Sequence, residues 1–111
     1  SVVKNDVTKE DFAKKYNIEY SEKYTYVGII GRFDHVKGHE IFIRGAAEAL
    51  KKNENLRFIL AGEGPLKGDL ENLAKELGIS EKVHFIGFLD NIYSFINFID
   101  INYFMWFLYK E

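Results

Sequence analysis

The sequence predicts an α/β fold with an open parallel sheet, because strand-like apolar segments alternate with helix-like amphipathic ones. Of the 111 residues, 47% are hydrophobic and 29% are charged, a composition typical of one globular domain. Three of the strand-like segments end at a glycine, Gly31, Gly62 or Gly87. Because open α/β sheets bind ligands at the carboxyl ends of their strands, we expect these glycines to lie along one ligand-binding edge.

The first unit is a strand, a glycine turn and a helix. Residues 1–24 are rich in charge and are interpreted as a lead-in or hinge segment with a short helix around KEDFAKKYN, and residues 25–111 as the domain. The sequence YTYVGIIG is apolar almost without alternation, as in a strand covered on both faces. The segment HEIFIRGAAEALKKN places apolar residues at helical spacing and ends in lysines and an asparagine.

The same pattern then repeats. LRFILAG predicts a second buried strand, and PLKGDLENLAKELG predicts a helix that Pro65 opens and Gly78 ends. KVHFIGF predicts a third strand, and residues 91–97 a short helix. The segment FIDINYF fits a fourth strand, although helix and strand are hard to separate there. Right-handed crossovers would join the parallel strands.

Composition excludes several classes of function. The net charge of −2, with both signs interspersed, argues against a broad nucleic-acid surface and leaves room for a local cationic site. The absence of cysteine excludes disulfides and thiolate metal sites and is compatible with a reducing cytoplasm. SVVKNDVTKEDF lacks the apolar core of a signal peptide, and no apolar run reaches the roughly 20 residues of a membrane span. We therefore expect a cytoplasmic protein.

Two cations follow the first strand. Arg32 and Lys37 lie between that strand and its helix, so both side chains can converge on the sheet edge. Arginine offers a bidentate fork and lysine a compact point charge, which together suit two adjacent phosphate groups. The alternative is a pair of solvated surface cations, and the glycines around them favour the phosphate interpretation.

Other ligand motifs fail on inspection. AGEGPLKG lacks the Ser or Thr that follows the lysine of a P-loop, and Lys67 stands where a dinucleotide fingerprint needs its third glycine. His35 and His39 have the spacing of a helical metal pair, but no cysteine or carboxylate completes a site. His84, within a predicted strand, is interpreted as structural, and no nucleophile triad is visible.

Three motifs in order resemble one family. VGIIGRFDHVKGHEIFI, LRFILAGEGPLKGDLENLAKELGISEKVHFIGF and FIDI resemble the C-terminal, donor-binding half of a group 1 (family 4) glycosyltransferase of the GT-B fold. The ordered series is G-R-x-x-x-x-K-G, then G-x-G-P, then V-x-F-x-G. The resemblance covers roughly residues 1 to 101, since KNDV resembles the hinge sequence of the family.

The resemblance implies a Rossmann-like half of a GT-B enzyme that binds a nucleoside diphosphate sugar and transfers the sugar with retention. Arg32 and Lys37 would hold the diphosphate, with Gly31 keeping the turn tight. Gly62 and Gly64 would line the nucleotide crevice, and the segment around Phe85 and Gly87 would cradle the base through its backbone. Fixed cations would stabilise the leaving group, so no metal or other cofactor is expected.

The end of the sequence departs from the family pattern. NYFMWFLYKE lacks the family's Pro-Ser element, and of its Glu-x7-Glu motif only Glu111 could stand near the first glutamate. The catalytic residues are therefore unknown. We expect a fragment without its N-terminal acceptor domain that is inactive alone and self-associates through the apolar residues 103–109. The alternatives are a stand-alone nucleotide- or partner-binding module and an inactive remnant.

Overall fold

A computed structural model describes residues 7–34 and 38–103 and confirms the predicted α/β fold. Its four strands form one parallel sheet in the order β3-β2-β1-β4. The helices are α1 (Lys9–Lys15), α2 (Gly38–Lys52), α3 (Lys67–Glu76) and α4 (Ile92–Phe98), and Ser80–Lys82 form a 3₁₀ turn. The strands are β1 (Thr25–Ile30), β2 (Leu56–Ala61), β3 (Val83–Gly87) and β4 (Ile101–Asn102).

Helices cover both faces of the sheet, which explains why β1 and β2 are apolar almost throughout, with Arg57 near the start of β2 as the charged exception. Val27 and Ile29 of β1 belong to a core that includes the buried residues of α2 and α3. Their neighbour Tyr26 belongs to a second core, which contains the buried residues of α1 and α4. Successive residues of a strand point to opposite faces, so a strand between two cores carries apolar residues on both faces.

Helix α4 packs directly against β1 because β1 has a glycine beneath it. A Cβ atom added to Gly28 would lie 2.6 Å from Cζ of Phe95 and 2.7 Å from Cγ2 of Ile99. The ring of Phe95 is fully buried. On the outer side of this core, the rings of Phe12 and Phe98 stack at 4.7 Å and join α1 to α4.

The segment that fitted a fourth strand does form one, and a single acidic residue fixes its start. The Asp100 N–H donates to the Tyr26 carbonyl at 2.8 Å, and the Asp100 carboxylate accepts from the Tyr26 N–H at the same distance. Ile101 and Asn102 then pair with Val27 and Gly28. Tyr103 packs edge-on against Phe42, with 4.7 Å between ring centroids. Residues 104–109, on which the expected self-association depends, lie outside the described residues.

We predict that Gly28→Ala destabilises the chain by about 1–3 kcal/mol, because the new methyl group overpacks the core under Phe95. The measurement is the free energy of unfolding from urea denaturation.

Gly45→Ala is the matched control, because Gly45 lies on the exposed side of α2 with no atom within 4 Å of an added Cβ. Alanine should raise stability there by up to about 1 kcal/mol, since it favours the helix more than glycine does. Equal effects of the two changes on the free energy of unfolding would contradict the packing of α4 on Gly28.

Candidate functional site at the carboxyl edge of the sheet

The three glycines that end the strands lie along one edge of the sheet, as the sequence predicts. The Gly31 N–H donates to the Ala61 carbonyl at 3.0 Å, and the Gly62 N–H donates to the Gly87 carbonyl at 2.8 Å. Hydrogen bonding between neighbouring strands therefore continues past their ends into the loops. We call the edge formed by these loops the rim.

Two rim glycines allow one loop to pass against another. A Cβ added to Gly62 would lie 2.1 Å from the Gly31 carbonyl oxygen, and one added to Gly64 would lie 2.4 Å from the Phe33 carbonyl oxygen. Both glycines also have positive φ, 143° and 159°. Any side chain at either position would collide with backbone, so the rim requires glycine there.

The N–H groups of two rim glycines take part in the backbone bonding of the rim. Those of Gly31 and Gly62 both donate to carbonyls of the neighbouring strand. Two further backbone bonds hold the loops together: the Phe33 N–H donates to the Glu63 carbonyl at 3.0 Å, and the Leu66 N–H donates to the Phe33 carbonyl at 2.9 Å. The glycines therefore allow the close approach, and backbone hydrogen bonds hold the loops in it.

A cavity of about 430 Å³ opens on the rim. This volume lies within the range of small-molecule sites. Its lining combines apolar side chains with glycine backbone, Arg32 and Glu63; the lining residues are Ile30, Gly31, Arg32, Ala61, Gly62, Glu63, Phe88, Leu89 and Ile92.

The predicted site residues divide into four groups. Gly31, Arg32 and Gly62 line the cavity, whereas Gly64 and Gly87 support the rim without lining it. Phe85 faces the core, where its ring meets Phe33 edge-on at 5.9 Å. Lys37 lies outside the described residues.

Phe88 and Glu63 are among the cavity residues that sequence reasoning missed. Phe88 directly follows Gly87 and is 77% exposed, although it is a large apolar residue. Glu63 lies between the two rim glycines of the second loop and pairs with Lys67 at 3.4 Å. Their position next to motif glycines is the signal that could have found them.

The charges at the rim leave Arg32 available. Its Nε lies 4.0 Å from Oδ2 of Asp34, at the outer limit of an ion pair, and its side chain is 68% exposed. An exposed pair of this kind contributes little free energy, so an incoming anion can replace the carboxylate as the partner of Arg32. Lys67 offsets the negative charge of Glu63 at the same edge.

A buried histidine lies beneath the rim. His39, in the first turn of α2, is 7% exposed, and neither of its ring nitrogens has a hydrogen-bond partner within the described ranges. Burial lowers the pKa of His39, and the nearby charge of Asp34 partly opposes that effect. Its ring meets Phe33 edge-on at 4.8 Å. Burial therefore disfavours the charged form of this imidazole, which lies beside the loop that carries Arg32.

Residues 7–34 and 38–103 contain no group of three His, Cys, Asp or Glu side chains placed to hold a metal ion. Within the same ranges, no helix combines the length and the apolar character needed to cross a membrane.

The family described as glycosyl transferases group 1 matches residues 9–104, most of the chain. The chain belongs to this family. The match spans the loops that form the rim and confirms the resemblance drawn from the sequence motifs.

Curated relatives in this family are much longer than the chain. An alpha-1,4-N-acetyl-D-galactosaminyltransferase of Campylobacter jejuni is 44% identical over 73 residues, which are 64% of this chain and 20% of that protein. A second C. jejuni enzyme, a 4-alpha-N-acetylgalactosaminyltransferase, is 32% identical over 95 residues, 86% of this chain and 25% of that protein. The chain thus spans about a fifth to a quarter of their length.

Solved structures of glycosyltransferases share the fold. The C-terminal domain of the group 1 protein LpcC from Francisella tularensis is 28% identical, with a TM-score of 0.64 over 80% of this chain and 50% of that one. HepE of Anabaena, solved in complex with UDP and glucose, is 24% identical, with a TM-score of 0.64 over 72% of this chain and 22% of that one. The GT-B assignment of the fold is thereby confirmed.

We predict that Gly62→Ala destabilises the chain by on the order of 2–3 kcal/mol, because alanine at this φ is strained and its methyl group meets the Gly31 carbonyl. Urea denaturation followed by circular dichroism measures the loss.

Gly68→Ala is the control. Gly68 is the second residue of α3, and an added Cβ there meets nothing within 4 Å. A Gly62→Ala variant as stable as Gly68→Ala would show that the two loops are not in backbone contact.

Proposed function

We propose that the chain is the nucleotide-sugar donor-binding domain of a retaining glycosyltransferase, in which Arg32 and Lys37 hold the diphosphate at the rim. The observation that carries the proposal is the rim cavity itself, where an exposed arginine, 4.0 Å from its carboxylate partner Asp34, lies beside apolar surface and closely packed glycine backbone. Arginine binds phosphate oxygens through two parallel hydrogen bonds, and the apolar surface suits a base or a sugar.

The chemistry of sugar transfer gives the cations their role. When the bond between the anomeric carbon and the diphosphate breaks, negative charge accumulates on the leaving group. Cations fixed before the reaction stabilise that charge without reorganisation. Arg32 and Lys37 would act in this way, and the proposal needs no metal cofactor.

The donor is proposed to be a nucleoside diphosphate sugar. HepE of Anabaena, which shares the fold, was solved with UDP and glucose, and this supports UDP as the first ligand to test. The acceptor would be bound by an N-terminal domain beyond this chain, so the chain alone would be inactive in transfer. A cytoplasmic location, where nucleotide sugars would be supplied, completes the proposal.

Phe88 is proposed to contact the base or the sugar. Phe88 is exposed and lines the cavity from the loop after β3, whereas Arg32 lines it from the loop after β1. Stacking an aromatic ring on a base stabilises binding without reading its identity. The second loop of the rim, with Gly62 and Glu63, lines the cavity between these two positions.

We predict that Arg32→Ala or Lys37→Ala weakens nucleoside diphosphate binding by about 1.5–3 kcal/mol and leaves nucleoside binding unchanged, because each loses a charge-assisted phosphate contact. Titration calorimetry with UDP, GDP, ADP and the matching nucleosides measures both affinities.

Arg44→Ala is the control, since Arg44 is an exposed arginine of α2 that pairs with Glu40 and does not line the cavity. Equal losses for diphosphate and nucleoside would refute the phosphate assignment. Diphosphate binding without sugar transfer when the acceptor domain is supplied would favour the stand-alone binding module, and a folded chain that binds no nucleotide would favour the inactive remnant.

We predict that Phe88→Ala weakens nucleoside binding by about 1–3 kcal/mol and leaves the affinity for inorganic pyrophosphate unchanged, because only the stacking contact is lost. Tyr93→Ala is the matched control: Tyr93 is a 58% exposed aromatic residue of α4 that does not line the cavity. Similar losses from the two changes in calorimetry would remove Phe88 from the site.

A further inference from the structure

His39 has a hydrogen-bonding capacity that the described structure does not use. A buried imidazole without partners costs free energy, because its nitrogens lose their hydrogen bonds to water and gain none in return. Phenylalanine would fill the same space without that cost. The two nitrogens of His39 therefore call for an explanation beyond packing.

The ring lies where it can act on the loop that carries Arg32. A Cβ added to Gly31 would lie 3.3 Å from Cε1 and 3.4 Å from Nε2 of His39, so this end of the ring is turned toward the rim. The imidazole ring of His39 also contacts the ring of Phe33, with 4.8 Å between the ring centroids. His39 thus touches the residues on both sides of Arg32, and the next residue along is Asp34, the partner of Arg32.

We propose that His39 is a positioning residue: when Arg32 turns to a bound diphosphate, an N–H of His39 donates to the Asp34 carboxylate and keeps it from reclaiming Arg32. The inference rests on the proposed function, since it assumes that Arg32 binds phosphate. The Arg32–Asp34 pair is already at its outer limit of 4.0 Å, so little holds the two together. Asp34 directly follows Phe33, whose ring His39 contacts at 4.8 Å between centroids, so its carboxylate belongs to the loop that the imidazole lies against.

The test uses inorganic pyrophosphate as the ligand, because its binding does not depend on the base. His39→Phe keeps a ring of similar size and removes both nitrogens, whereas His39→Gln keeps a side-chain donor. We expect His39→Phe to lower pyrophosphate affinity about tenfold, as for loss of one hydrogen bond to a charged group. His39→Gln should retain most of the affinity, and His39→Phe should be at least as stable to urea as the unmodified chain.

The partner is tested by a double-mutant cycle with Asp34→Ala. Once Asp34 is removed, His39 has no carboxylate to hold, so His39→Phe should change the affinity less than twofold in that background. A tenfold loss in both backgrounds would overturn the proposal, as would unchanged affinity of His39→Phe alone. His84→Phe is the matched control, because Nε2 of His84 is also buried and unpartnered in the described structure but lies away from the rim cavity.

A second measurement observes the ring of His39 in the unmodified chain and needs a variant only to assign its signal. With ¹⁵N-labelled histidine, pyrophosphate should shift the ring resonances of His39 and leave those of His84 unchanged, with His39→Gln used to assign the signal. No shift at saturating pyrophosphate would overturn the role of His39. Pyrophosphate binding that Arg32→Ala weakens but His39→Phe does not would overturn this inference alone; no binding of pyrophosphate or any nucleoside diphosphate would overturn the proposed function with it.

Discussion

The contact between the backbones of two rim loops is the constraint on which the candidate site depends. The loop after β2 reaches the loop after β1 so closely that Gly62 and Gly64 have room only for hydrogen atoms. Two hydrogen bonds through Phe33 hold the loops in that position. The direction in which Arg32 leaves the rim is therefore set by backbone geometry, before any side chain of the site is considered.

The layered packing supports this rim from below. Because both faces of β1 and β2 are covered, the ends of the strands have little freedom to shift relative to each other. His39 links the two levels, since its ring lies in the helix layer and contacts the loop above it. The positions of the site residues are therefore fixed by packing against the core rather than by contacts within the loops alone.

Much of the fold was predictable from the sequence, for a physical reason. Strands buried on both faces leave continuous apolar runs, and the glycines that end them mark the ligand edge of a parallel sheet. Strand β4 was ambiguous because it pairs through only two residues, too few for a pattern. The function of Gly62 and Gly64 was not visible either, since it depends on a loop some thirty residues earlier in the chain.

The candidate site was predicted in outline and missed in detail. Motif spacing led to Gly31, Arg32 and Gly62, which line the cavity, and to the backbone around Phe85 and Gly87. It did not lead to the side chain of Phe88, which also lines the cavity. Neighbouring residues of a strand face opposite ways only while the strand lasts, and β3 ends at Gly87. The burial of His39 likewise depends on tertiary packing, and the apolar spacing of its own helix does not predict it.

The pairing of Asp100 with Tyr26 has a consequence for the dynamics of the native state. The two residues are 74 apart in sequence, and the β1–β4 pairing that follows their hydrogen bonds joins two residue pairs, Val27 with Ile101 and Gly28 with Asn102. Closing a long loop costs entropy that a few hydrogen bonds barely offset. We therefore expect the β1–β4 pairing to open before the other strand pairings of the sheet. Hydrogen exchange of the Tyr26 and Asp100 amides would then report local opening of the β1–β4 pairing. The amides of the β1–β2 pairing are expected to exchange when the whole domain unfolds.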